Sequence, residues 1–136
     1  MSNNNIKITN YSHIYTKLHQ EFAQRNWGKK RRGDIDYLRF KHREKIKGLH
    51  ENLIIALVGG RVVGQIGLIP NSLVLHEQKI ESYWICDLMV ESEYRKLGIA
   101  IELYKHVMKK KQALFGSYPS PKSEILLKLL KFKKIK

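Results

Sequence analysis

Two features between Ile85 and His106 combine residue types that can do chemistry. The first is the run Arg95-Lys-Leu-Gly-Ile-Ala100, which opens a segment with Ile99, Leu103 and Val107 at i+4 spacing and Tyr104 and Met108 beside them. That spacing predicts an amphipathic helix to about residue 111. The first N–H groups of a helix lack intrahelical partners, and the dipole at that end favours an anion. Gly98 has no Cβ and lets a ligand approach the backbone, Ala100 keeps the helix entry slim, and Arg95 and Lys96 add formal charge. The pattern suits phosphate groups. The second feature is Asp87, the one carboxylate in the apolar run Tyr83-Trp-Ile-Cys-Asp-Leu-Met-Val90. A buried carboxylate is costly unless it is paired or used, and both readings stand. Its neighbour Cys86 reads as a small buried hydrophobe.

The elements that must position these groups follow from periodicity. Residues 6–9 alternate as a short strand. Residues 13–27 read as a helix with Ile14, Leu18, Phe22 and Trp27 on one side. Gly28-Lys-Lys-Arg-Arg-Gly33 is a basic loop, after which Asp34 can cap a helix over 35–47 carrying Tyr37, Leu38, Lys41 and Lys45. Strands are expected at 53–58 and 62–68, joined by Gly59-Gly60, since both positions tolerate positive φ. Gly64 and Gly67 suggest bulges or a close backbone approach. Pro70-Asn71 is expected to end the second of these strands. Residues 73–75 and 79–83 continue the meander around His76-Glu77-Gln78, and 83–90, apolar at nearly every position, reads as a central covered strand. A strand at 113–118 and a helix begun by Ser120-Pro121, burying Ile125, Leu126, Leu129 and Leu130, complete the pattern. Phe132 to Ile135 reads as the start of one more strand.

Composition narrows the classes. The 136 residues suit one domain over 1–136, and 43% hydrophobic content supports a packed core. A single cysteine excludes an intramolecular disulfide scaffold, and with no Cys/His cluster no metal is expected. No apolar run approaches the ~20 residues of a membrane helix, so no membrane partner is expected. The start, Met1-Ser-Asn-Asn-Asn, lacks the pattern of a signal peptide, and a cytoplasmic location is expected. The net charge of +14 is uneven. Residues 17–47 hold eleven basic and four acidic side chains, and residues 105–136 hold ten lysines and one acid, Glu124. This asymmetry suits an anionic partner or a solvated lysine-rich face.

Arg95, Gly98 and Ala100, set between a central strand and a helix, match in register the signature (Arg/Gln)-x-x-Gly-x-(Gly/Ala) of the GNAT acyltransferases. The stretch from Asp87 to Ala100 resembles many such enzymes, some aminoglycoside acetyltransferases among them, and the order of elements agrees through the fourth helix. The resemblance implies an α+β fold of three α/β/α layers, with a mixed, mostly antiparallel central sheet flanked by helices. It implies an N-acetyltransferase that moves an acetyl group from acetyl-CoA, its co-substrate, to a primary amine by direct attack. The pyrophosphate would sit on Arg95, Lys96, Leu97, Gly98, Ile99, Ala100 and Ile101. The pantetheine arm would lie as an extra strand along Leu88, Met89 and Val90, with an N–H near Leu88 or Met89 polarising the thioester carbonyl. Asp87 would accept a proton from the acceptor amine or position it. Glu81 and His76 lie near the acceptor's approach but read better as solvated. Cys86 need not be a nucleophile.

Two departures from the family pattern stand out. Aligning Leu130-Lys131-Phe132 with the family's Leu-Gly-Phe puts Leu127 where a thiol-protonating Tyr is common and Ser120 where a CoA-contacting Asn is common. The leaving thiolate would then be protonated by water, by Tyr118 or by nothing, and Tyr118 reads better as a packing aromatic at a strand end. The family's final two strands are also missing or incomplete, so a truncated domain is expected, with an exposed sheet edge through which a homodimer could form. The alternative reading is a non-catalytic CoA-binding or regulatory module. A basic nucleic-acid-binding domain ranks last, because no helix-turn-helix or RNA-binding aromatic signature accompanies the charge.

Overall fold

The computed structural model describes residues 5–28, 35–42, 50–110, 113–116 and 127–133. The elements in order are β1 (Ile6–Tyr11), α1 (Thr16–Trp27), α2 (Ile35–His42), β2 (His50–Val58), β3 (Arg61–Leu75), β4 (Gln78–Val90), α3 (Ile99–Lys110) and β5 (Leu114–Gly116). A 3-10 turn, His13–Tyr15, leads into α1, and a second, Ser92–Leu97, leads toward α3. One sheet runs β1-β2-β3-β4-β5, antiparallel except for the parallel β4–β5 pair. The expected mixed α+β sheet with helices on both faces is the fold observed.

The two faces bury separate cores. On one face, α3 places Ile99, Leu103, Tyr104 and Val107 against Ile54, Ala56, Ile66, Leu68 and Val90. On the other, Phe22 of α1 and Leu38 of α2 join Tyr11, Leu53, Ile55 and Leu57. The two cores use alternate residues of β2, as a central strand's period of two requires. Gly59 and Gly60, at φ 59 and 73, form the two-residue hairpin turn joining Val58 to Arg61.

Several expectations change. Pro70-Asn71 does not end β3: Pro70 pairs with Tyr83 and the ladder continues to Leu75–Gln78. Tyr83 gives its N–H to the Ala113 carbonyl at 2.9 Å, so its pairing with Pro70 needs no hydrogen bond from the proline nitrogen. That nitrogen faces the side where the β2–β3 pairing has already stopped, at Leu53–Gly67. His76 and Glu77, both at positive φ, close this long hairpin. Ile14 is 79% exposed, because the 3-10 turn places it before the helix proper. Leu97 and Gly98 precede α3 instead of opening it. Leu129 is 70% exposed, and Phe132 follows the helical turn 127–129 without starting a strand. The basic loop 29–32, Asp34, residues 43–47, Tyr118, Ser120, Pro121, Ile125, Leu126 and Ile135 lie outside the described residues.

Candidate active site

The ladder between β3 and β4 slips once. Gln65 faces Met89 and Gly67 faces Cys86, so Asp87 and Leu88 together oppose Ile66. This is a β-bulge, with Asp87 at φ 49. Aspartate is one of the few non-glycine residues that adopt this conformation readily. The bulge explains why β4 looked apolar throughout. Tyr83 and Ile85 face α3 before it, and Leu88 and Val90 face α3 after it, so the alternation inverts at Asp87.

On its other edge β4 pairs with β5 in parallel. The pairing covers Tyr83–Leu114, Trp84–Phe115 and Ile85–Gly116, and from Cys86 to Val90 no strand among the described residues meets that edge. The expected pantetheine-binding residues Leu88, Met89 and Val90 lie on this stretch of β4.

Gly98, at φ 73, would place a Cβ with no atom within 4 Å, so its surroundings are open. Its carbonyl accepts the first bond of α3, from the Glu102 N–H at 3.1 Å, leaving the N–H groups before it to face outward. Lys96 and Leu97 are exposed, and Ile101 stands on the outer face of the first turn. Arg95 is exposed but ties its Nε to the Val90 carbonyl at 2.9 Å, which closes the loop on the end of β4. Ile99 is buried and Ala100 half-buried, so their contribution is backbone. A Cβ on Gly64 would stand 3.2 Å from Ile99 Cγ2 and 3.4 Å from the Met89 carbonyl, so this glycine lets α3 seat closely on the sheet. Of the expected cofactor-binding residues, Ser120 lies outside the described residues.

Side chains the sequence did not single out meet Asp87 from the opposite face. Lys41 Nζ of α2 forms an ion pair with Asp87 Oδ2, and it also donates to Tyr37 Oη at 3.4 Å. Gly67 makes this approach feasible, since a Cβ there would stand 2.5 Å from His42 Cε1. His42 Nδ1 is 2.8 Å from the Leu68 carbonyl and anchors the end of α2. Burial pulls the Lys41 pKa down, but the hydrogen bond and charge of Asp87 outweigh it, and the net shift is upward. Lys41 is therefore an ammonium at neutral pH.

Behind the bulge, Gln65 donates to the Asp87 carbonyl at 3.0 Å and accepts from His19 Nε2 at 2.7 Å. Burial pushes the His19 pKa down, with His42 adding to the shift and the Gln65 bond opposing it. A neutral ring with its proton on Nε2 satisfies Gln65. Gln65 was findable by the reasoning used for Asp87, as a lone polar residue in an apolar strand. Lys41 was not, because its partner lies 46 positions away. Glu91, just before the phosphate loop, accepts from Arg25 at 2.7 Å and Arg61 at 2.8 Å. Arg25 also donates to the Val62 carbonyl at 2.9 Å, tying α1, β3 and the loop together.

Cys86 is a thiol, its pKa pushed up to about 12 by burial and then by Asp87, against a smaller opposing effect of Lys41. Its reading as a packing residue agrees with this ionisation. His76 and Glu81 are exposed on the β3–β4 hairpin. Leu127 packs its Cδ1 3.9 Å from where a Gly116 Cβ would stand. Lys131, which replaces the family's glycine, takes φ 67, the left-handed conformation that favours glycine. Among the described residues no helix is long and apolar enough to cross a membrane, and no group of three acidic, His or Cys side chains could hold a metal.

A family model described as an acetyltransferase (GNAT) domain matches residues 11–118. No curated protein sequence matches the chain. Among solved structures, the chain is similar to aminoglycoside N-acetyltransferase AAC(6')-Iy in complex with CoA, with TM-score 0.71 and 14% identity, covering 99% of this chain and 92% of that one. It is also similar to the aminoglycoside 6'-N-acetyltransferase AAC(6')-Ih from Acinetobacter baumannii, with TM-score 0.66, 14% identity and coverage of 95% and 91%. A GNAT-family acetyltransferase from Staphylococcus aureus Mu50 matches with TM-score 0.64, 18% identity and coverage of 96% and 86%.

Proposed function

Since the chain belongs to the GNAT acetyltransferase family, we propose that it transfers an acetyl group from acetyl-CoA to a primary amine by direct attack. The observation that carries this reading is the bulge at Asp87 near the end of β4, leading into the open Gly98 helix start. The N–H groups from Gly98 to Ile101 and the charges of Arg95 and Lys96 hold the pyrophosphate. The edge of β4 from Leu88 to Val90 takes the pantetheine arm. A bulge N–H at Leu88 or Met89 donates to the thioester oxygen as negative charge develops there. The acceptor enters on the α1/α2 face, gives a proton to Asp87, and attacks. Water protonates the leaving sulfur, since Leu127 has no proton to give.

The neighbours' aminoglycoside activity makes amino sugars the first acceptors to try, followed by polyamines and lysine peptides. Gly98→Glu tests the assignment. It sets bulk and negative charge in the open space above the helix start and is expected to weaken acetyl-CoA binding at least about 100-fold, some 2.7 kcal/mol. Gly98→Asn, which tolerates positive φ, serves as the folded control. Calorimetric titration that finds equal affinity in a folded Gly98→Glu variant overturns the site. Binding without turnover across the amine panel favours the non-catalytic module instead. Sedimentation of the same samples tests pairing between copies through the β5 edge.

A further inference from the structure

α2 delivers one primary amine of this chain to the group that Proposed function assigns to the acceptor amine. Lys41 Nζ lies on the Asp87 carboxylate, with Tyr37 holding it both by its hydroxyl at 3.4 Å and by its ring, whose centroid is 5.7 Å away. The position is built. Gly67 gives His42 room against β3, His42 binds the Leu68 carbonyl, and Asn52 Nδ2 donates to the His42 carbonyl at 2.9 Å, so the end of α2 is fixed on the sheet. Lys41 also approaches from the α1/α2 face, opposite the α3 core. An amine there meets the bulge from the acceptor side, while the edge of β4 takes the thioester.

We propose that Lys41 is itself an acetyl acceptor, and that the chain acetylates its own Lys41 from acetyl-CoA. The inference rests on the acetyltransferase reading above. The Lys41 ammonium gives one proton to Asp87, which passes it to water. The neutral nitrogen forms a bond to the acetyl carbon as the carbon–sulfur bond breaks. The second proton lost from nitrogen reaches the sulfur through water, and the products are an amide and a free thiol, with no change of oxidation state. Acetylation removes the positive charge of Lys41 beside Asp87, and so changes the charge that an incoming acceptor amine meets there.

The position separates this reaction from nonspecific chemical acetylation. Lys41 is 23% exposed, whereas Lys7, Lys17 and Lys109 stand in solvent and are the better targets for unassisted reaction. The test incubates the 136-residue chain with acetyl-CoA and maps acetyl groups by peptide mass spectrometry over time. The expected result is one fast acetylation, at Lys41, first order and independent of protein concentration. It is absent in Lys41→Arg and slowed about 100-fold in Asp87→Asn, the size of a general-base contribution. Asp87→Asn keeps a residue that tolerates the bulge's positive φ, and circular dichroism checks its fold. Acetyl groups scattered over the exposed lysines at equal rates in the parent and Asp87→Asn overturn the proposal. So does an unmodified Lys41 in a chain that turns over a small amine, an outcome that leaves the acetyltransferase reading standing. No acetyl-CoA binding at all removes both.

Discussion

The α3 face and the α1/α2 face of the sheet differ in what they supply. The α3 face is apolar: Ile99, Leu103, Tyr104 and Val107 pack into a core with Ile54, Ala56, Ile66 and Leu68. The α1/α2 face carries the buried polar groups, with His19, Gln65, His42 and the Lys41–Asp87 pair set among Tyr11, Phe22 and Leu38. Asp87 is the point where the two meet, its carboxylate on Lys41 and its backbone in the bulge of β4. One face fixes geometry by packing. The other sets proton and charge positions by hydrogen bonds, and a change to either should leave a different signature.

The largest effect is expected at Asp87. Asp87→Asn preserves the bulge and removes the base, so turnover of the best acceptor should fall about 100-fold or more while acetyl-CoA affinity stays within about twofold. Steady-state kinetics beside calorimetric titration reads both, and parallel losses would mean that the carboxylate serves the fold. Leu103→Ala on the apolar face should do the reverse. It should cost about 2–5 kcal/mol of stability through a cavity, and change turnover little at temperatures where the chain remains folded. A large kinetic loss in a folded Leu103→Ala protein would erase the division between the faces.

The smallest effect is a slope with pH. The folded His19 binds a proton less readily than the unfolded one, whose pKa is near 6.5, because burial disfavours the imidazolium. Below that value the unfolded chain takes up a proton that the folded chain refuses. Stability should therefore fall as pH drops from about 6.5, by at most about 1.4 kcal/mol per pH unit for this one group. His19→Gln keeps a donor for Gln65 and should flatten that part of the profile. Melting curves from pH 7.5 to 5 check it, and an unchanged slope would assign the effect elsewhere.

The same division governed what could be read in advance. The α3 face was legible because its signals are local: Ile99, Leu103 and Val107 recur at helical spacing, and Gly98 stands beside two cations within six residues. The Gly59-Gly60 turn was legible for the same reason. The polar face was not, because its pairs join distant segments: Arg25 with Glu91, His19 with Gln65, Lys41 with Asp87. The bulge hid itself by turning two alternating half-strands into one apolar run. Pro70 misled because its effect depends on which side of the strand needs a donor, and that is set by strand order.

The edge of β4 beyond Ile85 also bears on how much of the protein a cell would keep. A ligand that completes this edge binds the folded chain and not the unfolded one, and at a free concentration 100 times its Kd it adds about 2.7 kcal/mol to stability. In a marginally stable domain that increment changes the unfolded fraction about a hundredfold. Supply of the acetyl donor would then set not only the rate of the enzyme but also its lifetime against proteolysis, with abundance rising and falling with the donor pool.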